Sequence, residues 1–219
     1  YNGQDIGNGA VMRSGVIAFF YSPYELDFLR ICIETSRITH NSALSILGSI
    51  SIAYLVHCAC YEFDTDTWLM YLIKYLEKID PDIQKYIKST RPNELMSYNL
   101  DKLTFMGQLK KYYHLKYVGE KLRTDMINIF NNPVRRFKYL SESFSKKNMD
   151  MPGSCADDSI IFALDSIIES KGNYEKLIVY SALHPGDSDT VAAISFSLFF
   201  LNNNKKLIDS VKTNINGLE

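Results

Sequence analysis

The chain has 219 residues, 46% of them apolar, which is enough for one domain with a core of its own. Its 24 Lys and Arg against 25 Asp and Glu leave a net charge of −1, which excludes a basic nucleic-acid cradle and an acidic disordered tail. With 11 Gly and 6 Pro the chain is neither collagen-like nor of low complexity, and a first residue of Tyr1 marks it as an expected fragment or processing product.

The pattern is helical nearly throughout, so the expected fold class is all-α, one domain over residues 1–219. The first motif, IGNGAVMR from Ile6 to Arg13, sets two glycines around Asn8. Such a loop lets backbone amides approach a phosphate, although a plain turn has the same composition. Arg13 has two candidate partners, a phosphate or a structural carboxylate. Ser22-Pro23-Tyr24-Glu25 has the form of a capping box with proline at N1. It predicts a helix over about 23–38 with Leu26, Leu29, Cys32 and Ile33 toward one side. His40 lies in SRITHNS, at the junction with a second helix over about 42–60.

Asp64 to Thr67 is expected to cap a third helix carrying Trp68, Leu69, Leu72 and Leu76. The FDTDTW segment there fits an N-cap better than a metal cluster. Asp80-Pro81 repeats the cap-then-proline signature and predicts a new, fourth helix. Residues 88–130 are more polar and are expected to hold one or two helices. Residues 131–156 are expected to form an ordered loop or lid, with Arg135 and Arg136 solvated. Three helices close the chain: one opened by Asp157 or Asp158 and running to about Glu169, one from Asn173 to about Leu183, and one after Asp189. The last contains VAAISFSLFFL, Val191–Leu201, about half the length of a membrane span, and is expected to be the most buried helix. The spacing of Cys32, Cys58, Cys60 and Cys155 fits no disulfide framework or zinc ribbon, so free buried thiols in a reducing, cytoplasmic setting are expected.

HPGDSDT, His184–Thr190, carries two carboxylates at i and i+2 and an adjacent hydroxyl in a glycine-containing turn. Three hard oxygens there suit Mg²⁺, Mn²⁺ or Ca²⁺ rather than zinc or copper. The same residues serve equally as helix caps. PGSCADDS, Pro152–Ser159, puts two aspartates in a first helical turn, where the helix dipole alone accounts for them.

GNGAVMR, then ITH about thirty residues later, then HPGDSDTVAAI, together resemble the ADP-ribosylglycohydrolase family in order and spacing, from about Ile6 to Phe200. ETSRITH and FALDSIIES look most like its ADP-ribosylarginine hydrolase branch. The resemblance implies a compact orthogonal helical bundle with two Mg²⁺ ions, Mn²⁺ being a possible substitute. It implies that Asp187, Asp189 and Thr190 ligate metal, and that Gly7, Asn8 and Gly9 lie against the ADP-ribose phosphates. His40 would line the substrate cleft, and Asp158 would stand near its rim. Asn41 and Ser42 depart from the His-Pro that follows Thr-His in many relatives.

The family also supplies metal ligands from a Thr-Asp-Asp-Thr motif upstream of the equivalent of Tyr1, and catalytic acidic residues are expected there too. The N-terminal helices are therefore expected to be missing, and the 219-residue piece to bind Mg²⁺ weakly and turn over nothing. The implied activity is Mg²⁺-dependent hydrolysis of the N-glycosidic bond between ADP-ribose and a protein arginine. The implied partners are an ADP-ribosylated protein as substrate and free ADP-ribose as product, with no nucleic acid or membrane, and the protein itself is expected to be a monomer. Two alternatives remain open: hydrolysis of ADP-ribosylserine or another O-linkage, and a non-catalytic ADP-ribose-binding or structural relative.

Overall fold

The computed structural model describes residues 1–123, 130–146 and 151–204. These residues form an all-α assembly whose sole sheet, among the described residues, is a two-stranded hairpin of Tyr117–Val118 and Lys121–Leu122. The helices are α1 (Gly9–Ser14), α2 (Leu26–Arg37), α3 (Ala43–Cys60), α4 (Trp68–Thr90), α5 (Leu95–Lys116), α6 (Pro133–Phe144), α7 (Ala156–Ser170), α8 (Tyr174–Ser181) and α9 (Ser188–Asn203).

The centre is α3, not the last helix. Every one of its 18 residues is buried. A helix apolar on all sides needs neighbours on all sides; α1, α2, α4, α5, α7 and α9 supply them. Although α3 is long and apolar enough for a membrane span, it is the core helix of this assembly. Ser42 caps it, accepting from the Ser45 amide at 3.2 Å. By contrast α9, expected to be the most buried, keeps a solvent face on which Phe200 is 46% exposed. Gly48 allows the close packing on α3: a Cβ there would meet Val11 Cγ2 at 2.7 Å and the Ala156 Cβ at 3.1 Å.

Three expected helix boundaries are corrected. The helix predicted from Pro23 begins at Leu26, after Glu25, and Ser22 does not cap it. The Tyr75 hydroxyl donates to the Pro23 carbonyl at 2.7 Å and holds that segment as a turn, leaving Leu26 exposed. No new helix starts at Pro81, because α4 runs through it. Its buried stripe of Leu72, Leu76, Ile79, Ile83 and Ile87 continues in phase across the proline, so packing outweighs the lost amide. Asp80 does not cap; it accepts from Lys102 Nζ at 2.6 Å and from the Tyr98 hydroxyl at 3.2 Å, tying α4 to α5.

The third correction concerns 131–156, expected to be a loop or lid. It contains α6, opened by Asn132, whose side chain accepts from the Arg135 amide at 3.0 Å, and by Pro133 at its first turn. Residues 147–150 of that stretch, like 124–129 of the polar segment before it, lie outside the described residues. Arg136, expected in solvent, is 1% exposed. Its Nε donates to Asp165, its Nη1 to the Tyr180 carbonyl at 3.0 Å and its Nη2 to Ser166 Oγ at 3.0 Å. Asp165 also faces Lys116 Nζ at 3.1 Å and accepts from the Tyr112 hydroxyl at 2.6 Å. The four cysteines are free and buried, as expected.

Candidate metal and substrate site

The site forms where three chain segments meet: the loop before α1, the strap Pro152–Cys155 before α7, and the turn before α9. Backbone bonds fasten them to one another. The Asn8 amide donates to the Ser154 carbonyl at 3.0 Å, and the Ala156 amide donates to the Ile6 carbonyl at 2.8 Å. The Asp187 amide donates to the Pro152 carbonyl at 2.9 Å. Segments nearly 150 residues apart in sequence are thereby held as one unit.

Asp187 and Thr190 are buried and Asp189 is exposed at the start of α9. The side chains of Asp189 and Thr190 lie against the Asp187 carboxyl. Burial and then the Asp189 contact raise the Asp187 pKa, while Asp189 is lowered by the same contact. Two carboxyls and a hydroxyl brought together at this turn are hard-oxygen donors of the kind a divalent cation takes. Thus Asp187, Asp189 and Thr190 fit Mg²⁺ or Mn²⁺ in donor type.

Asn8 has a role that its glycine neighbours hide. Its Nδ2 donates to Asp187 Oδ2 at 2.6 Å and to the Gly153 carbonyl at 3.0 Å. It therefore orients the buried carboxylate, a support that a metal site needs beyond its direct ligands. The flanking glycines answer to His40. A Cβ on Gly7 would lie 3.0 Å from His40 Nε2, and one on Gly9 2.8 Å from His40 Cε1. The half-buried His40 ring sits over this loop, with Nδ1 2.7 Å from Thr39 Oγ1. Arg13 pairs with no carboxylate among the described residues. It donates to the Gly9 and Thr35 carbonyls at 3.1 and 2.7 Å and to Thr39 Oγ1 at 2.6 Å, satisfying the C-terminal end of α2.

Asp158 is 1% exposed. Its two oxygens accept from the Gly153 amide at 3.0 Å and the Cys155 amide at 2.9 Å, so it holds the strap from beneath. Burial outweighs those amides and pushes its pKa up to about 7. The N-cap of α7 is Cys155, with Asp158 as the returning member of the capping box; Asp157 caps nothing. The importance of the strap was signalled in the sequence by Gly153, whose φ of 92° only glycine adopts readily.

Gly186 is the tightest point. A Cβ there would lie 2.2 Å from the Pro152 carbonyl oxygen, which is backbone and cannot swing aside. Gly186→Ala is expected to cost about 3 kcal/mol, at the upper end for overpacking, because the strap must part from the α9 turn. Chemical denaturation of the variant and wild type measures this.

The ADP-ribosylglycohydrolase family model matches residues 2–197. A protein of Acanthamoeba polyphaga mimivirus named as an ADP-ribosyl glycohydrolase is 43% identical over 201 residues, 91% of this chain and 38% of its own length. The ADP-ribosylhydrolase ARH1 of Dictyostelium discoideum is 30% identical over 206 residues, 86% of this chain and 51% of its own length. The chain thus spans about half or less of these relatives. A match over nearly the whole of residues 2–197, on an all-α fold, means that this chain belongs to the ADP-ribosylglycohydrolase family.

Proposed function

We propose that the protein hydrolyses the N-glycosidic bond between ADP-ribose and a protein arginine, with Mg²⁺ as cofactor. The observation that supports it is the convergence of Asp187, Asp189 and Thr190, with Asn8 fixing the buried carboxylate. The ETSRITH and FALDSIIES segments favour arginine as the linkage. When held by Asp187, Asp189 and Thr190, Mg²⁺ would bind ribose hydroxyls and lower the pKa of a water beside the anomeric carbon.

The chain's own residues do the positioning. Asn8 keeps Asp187 aimed at the site, and the Pro152–Cys155 strap keeps Asn8 in place. His40 and the Gly7–Gly9 loop form one wall, where backbone amides and the ring offer donors to a pyrophosphate. Binding that remote part of the substrate fixes the sugar for attack at C1″, whose bond breaking develops oxocarbenium character.

The test is release of ADP-ribose by the protein of the complete reading frame, with Mg²⁺, from arginine-linked and serine-linked substrates. Release from the arginine linkage at least tenfold faster is expected. Preference for serine would overturn the arginine assignment, and binding of ADP-ribose without turnover of either would mark a non-catalytic relative.

A further inference from the structure

Asp157 is a buried carboxyl, 1% exposed, whose two oxygens have no well-formed hydrogen bond among the described residues. An ionised carboxylate in that position costs several kcal/mol unless something neutralises it. Around it stand Cys155 and Asp158, so placed that one ligating atom of each of the three lies within 4.8 Å of the others. Ser145 Oγ beside Asp158 and Ser154 Oγ beside Cys155 are also buried without a well-formed hydrogen bond among the described residues. Lys146 is the nearby cation, but it makes no hydrogen bond to Asp157.

This cluster is separate from the Asp187 site and differs in chemistry, since it holds a sulfur. A buried water would satisfy the serine hydroxyls but bring no positive charge to a carboxyl that has Lys146 near it only at a distance beyond hydrogen bonding. One thiolate and two carboxylates are donors for a zinc-class ion rather than for Mg²⁺. Ligand distances of about 2.0–2.3 Å at the tetrahedral angle put donors about 3.3–3.8 Å apart, so a pair at the 4.8 Å limit would draw in by about 1 Å as the ion binds.

We propose that Cys155, Asp157 and Asp158 bind a divalent transition-metal ion of the zinc class, a second metal site at the N-terminus of α7. The Cys155 proton leaves to solvent as the thiolate binds, as at other cysteine metal sites. The ion would lock the strap on which Asn8 and Asp187 depend, because Asp158 holds the Gly153 amide and Gly153 holds Asn8.

Cobalt(II) is the probe, because thiolate coordination produces a sulfur-to-metal charge-transfer band in the near ultraviolet that oxygen ligands do not. Titrating the metal-free full chain with Co²⁺ should produce this band at one ion per Cys155. Cys155→Ser should abolish it, Asp157→Asn should weaken Co²⁺ binding at least tenfold, and Asp187→Asn should leave the band in place. No band at saturating Co²⁺, or a band that survives Cys155→Ser, overturns the proposal. If circular dichroism shows Cys155→Ser unfolded, Asp157→Asn decides: wild-type Co²⁺ affinity there also overturns it. These readouts are independent of ADP-ribose hydrolysis.

Discussion

Asp187→Asn in the full-length protein should lower Mg²⁺-dependent ADP-ribose release at least about a hundredfold, matching the several kcal/mol that a metal's charge contributes to such a reaction. The exchange keeps the size and shape of the side chain and removes its charge. It also puts an amide opposite Asn8 Nδ2, which now donates to Asp187 Oδ2 at 2.6 Å, and opposite Asp189. Folding should change little, because burial already raises the Asp187 pKa and a neutral side chain suits the site when no cation is bound. The pattern to look for is a large loss of turnover and of Mg²⁺ binding at nearly unchanged stability. Undiminished turnover would refute the assignment of Asp187 as a ligand.

Arg136→Met should have the opposite signature, a loss of about 3 kcal/mol of stability, at the lower end for removing one partner of a buried ion pair. Met fills much the same volume, but Asp165, wholly buried, keeps Lys116 alone as its cation, and the Tyr180 carbonyl and Ser166 hydroxyl lose their donor. Burial alone would raise the Asp165 pKa, yet Arg136 and then Lys116 hold it below the usual carboxylate range. In the wild type this contribution is fully present above the unfolded carboxylate pKa of about 4 and is lost as pH falls through the lower folded value. The variant should therefore lose the most relative to wild type near neutral pH and less in acid. Denaturation at pH 7 and pH 3 measures both, and an equal loss at the two pH values would contradict the ion-pair account.

The contrast between Asp187 and Arg136 shows what could be read from the residues alone. Local signals carried well. Asn173 caps the helix it was expected to cap, accepting from the Lys176 amide at 2.8 Å. Signals that tertiary contacts override did not. Ser22-Pro23 and Asp80-Pro81 have the same cap-then-proline form, yet neither opens a helix. In the first the Tyr75 hydroxyl holds the Pro23 carbonyl, and in the second a continuous apolar stripe packs α4 on α5. Arg136 looked like one charge in a basic stretch, because its partners Asp165, Ser166 and the Tyr180 carbonyl come from two later helices.

At the candidate site the residue types were visible, but their division of labour was not. Gly7, Asn8 and Gly9 suggested a phosphate loop. The structure adds that the glycines make room for His40, and that Asn8 reaches Asp187 across 179 positions of sequence. A contact of that separation has no local signature. Asp157 and Asp158 looked interchangeable as first-turn acids, but Asp158 secures the strap and Asp157 has no well-formed hydrogen bond among the described residues.

The most direct test is a chelation and restoration experiment on arginine-linked ADP-ribosylated protein. The full-length protein should release ADP-ribose, stop when divalent ions are removed with EDTA, and recover on return of Mg²⁺, whereas Asp187→Asn should not recover. Release that continues at full rate in EDTA would contradict a metal-dependent hydrolase built on Asp187, Asp189 and Thr190.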